Sequence, residues 1–237
     1  MAFNLFSKKQ EKGKVFTTKK CKEFNHPEIQ FTISDKSIPD VDIDFFISTL
    51  EIQVSNGVKY NNGESIQIGS VVLEFKETGN VLELIEPDFK SFPIEYVNTL
   101  DFTLLNMRLQ KDIVESIDPP ADLLFPSIMQ SIVVCENYKT IPNVLMIRYE
   151  PENRSSGWWF FDYDDKASWN DPDNFAPISI YEFALHRPDL FKFLAFPEDF
   201  QVLYFSGKNI SILNDEEVVD IKENSFLSAL NESLDNK

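Results

Sequence analysis

The chain has 237 residues, 22 of them Phe and only 7 Gly, and a formal net charge of −17. That balance excludes low-complexity and disordered classes, leaves enough chain for a sizeable core, and fits one large domain or two small ones. No run of 18 uncharged apolar residues occurs, so no membrane-spanning helix is expected.

Residues 1–22 hold seven Lys (Lys8, Lys9, Lys12, Lys14, Lys19, Lys20, Lys22) and one Glu, a net of +6. They read as a flexible basic arm. The apolar patch Ala2–Phe6 precedes the lysines and is too short for a signal-peptide core, so the expected location is the cytoplasm. The other 215 residues carry 15 basic and 38 acidic side chains, a net of −23. A body of that sign repels phosphate backbones and attracts basic proteins. Nucleic acid is therefore not an expected partner of the body, and neither is a membrane.

Residues 28–34 alternate apolar and polar, which predicts a strand. A helix follows, with Asp40 as its cap and Asp42 and Asp44 in its first turn. Ile43, Phe46 or Ile47, Leu50 and Val54 recur at helical spacing, and Gly57 ends the run. Glu51–Val54 also alternates, leaving a strand ending open there. Residues 64–87 read as a hairpin or meander turning at Glu77-Thr78-Gly79-Asn80. Val97, Leu100, Leu104 and Met107 predict a helix over 93–117, with Pro93 in its first turn. Asp118-Pro119-Pro120 stops it and marks a domain boundary near 118–126.

Residues 125–138 fit a short helix or a strand. Val144–Tyr149 reads as a buried strand paired with Trp158–Phe161. On that partner Trp158 and Trp159 point to opposite faces, so Trp158 with Phe160, or Trp159 with Phe161, anchors the core. Residues 162–177 read as a long acidic loop with turns at Asn170-Asp171-Pro172 and Asp173-Asn174. Ser179-Ile180-Tyr181-Glu182 is a capping box, so a helix starts near Ile180 and ends near Arg187, before Pro188. Asp189–Leu194 forms a further turn. Gln201–Phe205 and Asn209–Leu213 make a closing hairpin, and the tail after Asn214 is acidic and partly helical.

The predicted fold class is α+β: two α+β units with mainly antiparallel sheets and a few packed helices. The predicted divisions are a basic arm over 1–22, an N-terminal domain over 23–120, a C-terminal domain over 126–214 and an acidic tail over 215–237.

Chemistry-bearing patterns are sparse. His26 and His186 are the only histidines, and Cys21 and Cys135 the only cysteines. Neither pair has metal-ligand or nucleophile–base spacing, and two free thiols are expected. No phosphate-binding Gly-rich loop and no Gly-x-Ser-x-Gly elbow occurs. The residues that stand out lie in Arg154–Phe175, which holds all three tryptophans. Trp158, Trp159 and Trp169 combine there with Asp162, Asp164, Asp165, Asp171 and Asp173 as candidate partner contacts. The acidic spacing does not match an EF-hand, so no metal is assigned. Carboxylate pairs suited to glycoside hydrolysis carry little information in so acidic a chain.

Met146-Ile147-Arg148-Tyr149-Glu150, Ser156-Gly157-Trp158-Trp159-Phe160-Phe161 and Asn170-Asp171-Pro172-Asp173-Asn174 together resemble a bacterial immunity-protein domain, the thirty-third immunity family. The hallmark is a Gly-Trp-x-Phe strand, an acidic turn, an Asn-x-Pro element and a following helix, here spanning about residues 145–205. His26-Pro27, Gly63-Glu64, Glu86-Pro87-Asp88 and Phe125-Pro126-Ser127 resemble a region found N-terminal to such domains. The chain departs from the pattern in its doubled Trp158-Trp159 and in its Asp-Tyr-Asp-Asp turn. The resemblance implies an immunity protein without enzymatic activity or cofactor. Such a protein neutralises a cognate polymorphic toxin, expected to be basic, with nucleases among the candidates, by stoichiometric binding. The alternatives are an acidic adaptor for another basic partner, or a hydrolase working through carboxylates.

Overall fold

A computed structural model gives the fold and describes residues 13–235. Lys8, Lys9 and Lys12 of the predicted arm lie outside the described residues. The chain divides into two compact units, one formed by 1–65, 74–86 and 96–104, the other by 66–73, 87–95 and 105–237. Pro119 and Pro120 fall inside the second unit. Helices and mainly antiparallel sheets make the fold α+β, and among the described residues no helix is long and apolar enough to cross a membrane.

In chain order the first elements are β1 (Lys14–Thr17), β2 (Glu28–Ile33), α1 (Asp40–Ser55), β3 (Ser65–Ile68), β4 (Val71–Thr78), β5 (Val81–Pro87), β6 (Tyr96–Val97) and α2 (Asp101–Val114). The sheet order is β1-β2-β5-β4-β3, with β6 on β5. Residues 13–22 are therefore not a flexible arm. β1 pairs with β2 from Lys14↔Ile33 to Thr17↔Gln30, and Phe16 stacks on Phe31 at 5.7 Å. Val15-Phe16 supplied a strand signal that the surrounding lysines obscured.

Helix α1 buries Ile43, Phe46, Leu50 and Val54, the stripe its spacing predicts. Its cap is Pro39, so Asp40 is the first helical residue, and Asp40 and Asp42 form the acidic first turn. Glu51–Val54 is helical, not strand. At the other end Gly57 has φ +94°, and the amides of Gly57 and Val58 donate to the carbonyls of Val54 and Gln53. These bonds close a left-handed helix stop that a side chain at position 57 disfavours.

The predicted helix over 93–117 is shorter. Tyr96–Val97 pair with β5, and the Leu100 amide donates to the Thr32 carbonyl at 3.0 Å. The backbone groups of that stretch are used by neighbouring strands, so Pro93 opens no helix. α2 starts where a buried carboxylate waits for its amides. Glu86 accepts from the Phe102 and Thr103 amides at 3.1 and 2.8 Å, and from the Thr103 hydroxyl at 2.7 Å. Burial pushes its carboxyl from 4.5 up to about 7, although the hydrogen bonds pull the other way.

That shift fixes a pH dependence. Between about pH 4.5 and 7 the folded chain holds a proton on Glu86 that the unfolded chain has released. Stability from this group therefore falls as pH rises through that window and levels off above it, by an amount on the order of 3 kcal/mol. Glu86→Gln is expected to flatten that part of the profile. Denaturant titrations from pH 5 to 8 check it, and parallel curves for the variant and the parent would refute the assignment.

The second unit carries β7 (Ile117–Asp118), β8 (Ser131–Cys135), β9 (Asn143–Arg148), β10 (Ser155–Asp162), β11 (Phe175–Ser179), α3 (Ile180–His186), α4 (Pro188–Phe191), β12 (Phe200–Phe205), β13 (Ser211–Asn214), β14 (Glu217–Val218), β15 (Asp220–Ile221) and α5 (Phe226–Asp235). Seven of these strands form a sheet in the order β11-β8-β10-β9-β12-β13-β14. All neighbours are antiparallel except β8 and β10. The open choice over 125–138 resolves as strand β8. The capping box forms at its first half: the Ser179 hydroxyl accepts from the Glu182 amide at 3.0 Å. Arg187 ends α3, as Pro188 requires. The tail folds further than predicted, into β14, β15 and α5.

Candidate partner-binding surface

Strand β10 separates two faces of the seven-stranded sheet. Trp158 and Phe160 are fully buried and point inward, where Phe160 meets Phe183 of α3 at 5.6 Å. Trp158 also donates its indole Nε1–H to the Leu194 carbonyl at 2.9 Å. This takes Trp158 out of the candidate contacts, because no partner reaches a ring with no exposed surface. Trp159 and Phe161 point outward. Cross-strand register places Pro177, Val133, Trp159, Ile147, Gln201, Leu213 and Val218 in one row across the whole sheet. Most of that row is half-exposed, and Val218 is 72% exposed.

Aromatic rings concentrate at one end of this outer face. Trp159 stacks on Phe161 at 6.0 Å and meets Phe175 at 5.6 Å and Tyr149 at 6.2 Å. Trp169 lies 5.2 Å from Phe161 and donates its Nε1–H to the Asp162 carbonyl at 2.7 Å. The acidic segment is thus folded back onto the sheet and is not an open loop. It contains two 3₁₀ turns, Lys166–Asn170 and Pro172–Asn174, and residues 175–177 already belong to β11.

The five aspartates divide by task. Asp162 accepts from the Asp164 amide at 2.9 Å, and Asp171 from the Asp173 amide at 3.1 Å, both short-range turn bonds. Asp164 accepts from the Asn143 side-chain amide at 2.8 Å and ties the segment to β9. Asp165 and Asp173 are exposed, and their carboxylates make no hydrogen bond or ion pair among the described residues. Lys166 sits over the rings of Tyr163 and Trp169, at 4.6 and 5.8 Å. Asp162 and Asp165 line a small open recess of about 70 Å³ with Cys135 and Glu136. Burial raises the Cys135 thiol to about 11, so it stays protonated there. No group of three or more His, Cys, Asp or Glu among the described residues is arranged to hold a metal ion.

Two buried features hold this surface in place. Gly157 has φ +81°, and a Cβ on it would lie 2.0 Å from the Tyr149 carbonyl oxygen. Only glycine lets β9 and β10 approach so closely at that point. Beside it, the buried guanidinium of Arg148 donates to the carbonyls of Ser156, Leu124, Leu194 and Phe196, and stacks 5.7 Å from Trp158. Burial lowers its pKa from 12.5 to about 10, so it remains a cation at neutral pH. Arg187 plays a similar part at the end of α3, gripping Asp189 with two bonds and donating to the Tyr138 and Ile141 carbonyls. His186, the last residue of α3, meets the Tyr138 ring edge-on at 5.9 Å.

Residues 109–215 match the family model of the Imm33-like domain. The matched segment is longer than the stretch carrying the sequence resemblance. It begins inside α2, takes in β7 to β13 with α3 and α4, and leaves β14, β15 and α5 outside. No curated protein and no solved structure matches the chain. In the Imm33-like segment the Ser-Gly-Trp sequence acquires a physical role. The Ser156 hydroxyl donates to the Ser131 carbonyl at 2.8 Å, Gly157 allows the close strand approach, and Trp158 plugs the inner face.

The sequence reading missed Tyr149, Ile147, Val133, Leu213 and Phe175 as members of the outer face. Val144–Tyr149 is apolar without alternation, so its two faces look alike in sequence. Phe175 was hidden in what read as a loop.

Proposed function

We propose that this protein is an immunity protein that neutralises a cognate bacterial toxin by stoichiometric binding, without catalysis or cofactor. The match of residues 109–215 to the Imm33-like domain carries this reading. The surface proposed to meet the toxin is the outer face around Trp159, with Tyr149, Phe175 and Trp169, bordered by Asp164, Asp165, Asp171 and Asp173. Half-exposed, rigid rings supply contact area at low entropic cost, and the uncompensated carboxylates of Asp165 and Asp173 beside them attract a basic partner. The net charge of −23 outside the first 22 residues favours a basic toxin, a nuclease among them, met in the cytoplasm of the producing cell.

Co-expression with the toxin domain encoded beside this gene tests the function directly. Growth is expected with this protein and arrest without it, and arrest in both cases would reject the pairing.

The charge argument has its own test. Asp165 and Asp173 carry negative charge without holding the turns, so reversing them separates attraction from folding. The double variant Asp165→Lys, Asp173→Lys is expected to slow toxin association about 10-fold at low salt and to weaken its salt dependence. Stopped-flow association at several ionic strengths measures it. An unchanged on-rate would remove this edge from the interface.

A further inference from the structure

Strand β1 leaves one side of its backbone open. It is the end strand of the first sheet and pairs with β2 alone. The Thr18 amide donates to the Ile29 carbonyl at 2.9 Å, and this sets the phase of the pairing. In an antiparallel ladder every second residue bonds to the partner strand. With Lys14↔Ile33 and Phe16↔Phe31 in register, Lys14 and Phe16 turn their amides and carbonyls toward β2. Gly13, Val15 and Thr17 turn theirs away from it, and nothing among the described residues bonds to them.

Open edges are ordinarily blunted by Pro, by bulges or by charge. β11, an edge of the seven-stranded sheet, shows the device. The Glu136 amide donates to the Asn174 carbonyl and the Ile180 amide to the Gln130 carbonyl, so Pro177, which has no N–H, falls at an outward position. β1 has neither Pro nor bulge. Its register is unbroken over four pairs, and Val15 is 54% exposed. Its one charged side chain, Lys14, lies back over the Phe16 ring at 4.6 Å.

Beside this edge is a recess of about 300 Å³ between β1 and α1. Phe16, Ile33, Ile38 and Ile43 give it apolar walls, and the charges around it, Lys14 and Lys36 against Asp35 and Asp40, cancel. Paired residues on neighbouring strands point to the same side of a sheet. In a strand laid along β1, the residue opposite Phe16 therefore points toward the recess. Edge and recess together select an extended polypeptide. It repeats amide and carbonyl at the spacing of Gly13, Val15 and Thr17, and it alternates side chains so that one apolar group reaches the recess.

A second copy of β1 fits less well. Antiparallel self-pairing about Phe16 matches Val15 with Thr17 but sets Gly13 against Lys19. The Lys19 amide is already held by Glu51 at 2.7 Å, so the outward groups of Gly13 go unmatched.

We propose that the free edge of β1 takes an extended segment of a protein partner as an added strand, with one apolar side chain of that segment seated in the recess between β1 and α1. The site lies outside the Imm33-like segment and does not depend on the immunity reading.

The test uses the full-length chain and a displayed library of short random peptides. Selected peptides are expected to alternate apolar and polar residues. Val15→Pro removes an outward N–H and leaves every β1–β2 bond in place, so its denaturation midpoint is expected to match the parent. Its affinity for a selected peptide, read by fluorescence anisotropy, is expected to fall at least ~10-fold. N-methylation along the peptide reads the geometry without touching the protein. Methyl groups at alternate positions are expected to abolish binding, and those between to leave it unchanged. Exchange of the peptide's apolar residue opposite Phe16 for Asp is expected to weaken binding as strongly as Val15→Pro. Failure to select any peptide, equal affinity for Val15→Pro, an N-methyl pattern without alternation, or indifference to the Asp exchange overturns the proposal. So does binding seen only after residues 1–12 are removed, or a dimer of this chain that Val15→Pro dissolves, since each gives the edge a different occupant.

Discussion

Gly157→Ala is expected to remove most of the stability of the second unit, on the order of 4 kcal/mol or more, a loss reserved for a few mechanisms of backbone and core disruption. Two effects add. The first is conformational: at φ +81° an L side chain is strained by roughly 1–2 kcal/mol. The second is steric and larger. The new Cβ would sit 2.0 Å from the Tyr149 carbonyl oxygen and 2.9 Å from its carbon, and both are backbone atoms that no rotamer change can move.

Retreat of the Tyr149 strand is blocked on both sides. The Tyr149 amide donates to the Gly157 carbonyl at 2.9 Å, and the Asp199 amide donates to the Arg148 carbonyl at 2.9 Å. Arg148 itself is anchored by its four carbonyl partners. Separating β9 from β10 therefore breaks the centre of the sheet and exposes Trp158. Near-ultraviolet circular dichroism, to which the packed aromatic rings of both faces contribute, follows the loss of tertiary structure during denaturant unfolding. A loss below about 1 kcal/mol would mean that the strands part easily and that the glycine is there for another reason. Since the outer face depends on the same strand pair, Gly157→Ala should also abolish the proposed protection from a toxin.

Trp159→Ala is expected to weaken the proposed toxin complex by about 2–4 kcal/mol, or roughly 30- to 1000-fold in Kd, while leaving the fold in place. The ring lies near the centre of the aromatic group, touching Tyr149, Phe161 and Phe175, and keeps one side open. Residues that dominate binding are aromatic, central and surrounded by neighbours that exclude water. Trp159 satisfies each condition, whereas Trp169 is spent holding the acidic segment through Asp162 and Phe161. Calorimetric titration with the toxin domain and a melting curve on the free variant separate the two roles. If affinity is unchanged, the toxin binds elsewhere. If affinity and melting temperature fall together, Trp159 acts through the fold.

Local patterns were readable where one face of an element is buried and the other solvated. The α1 stripe, the β4–β5 hairpin, the capping box at Ser179 and the pairing of Val144–Tyr149 with Trp158–Phe161 all follow from periodicity or turn chemistry. The opposed directions of Trp158 and Trp159 follow from the two-residue repeat of a strand. The Gly-Trp, acidic-turn and Asn-x-Pro elements pointed to the immunity family, which the match over 109–215 supports.

What needed the tertiary structure were features set by residues far apart in the chain. A strand reports that its faces differ but not which one is covered, so Trp158 as core and Trp159 as surface emerged only when α3 packed on one side. The start of α2 depends on Glu86 and on Thr32, neither of which is near position 101 in sequence. β1 reads as a solvated arm until β2 supplies its hydrogen bonds. The five aspartates look equivalent as letters. Hydrogen bonding to Asn143 and to the turn amides assigns three of them to structure and leaves Asp165 and Asp173 as uncompensated charge at the edge of the aromatic face.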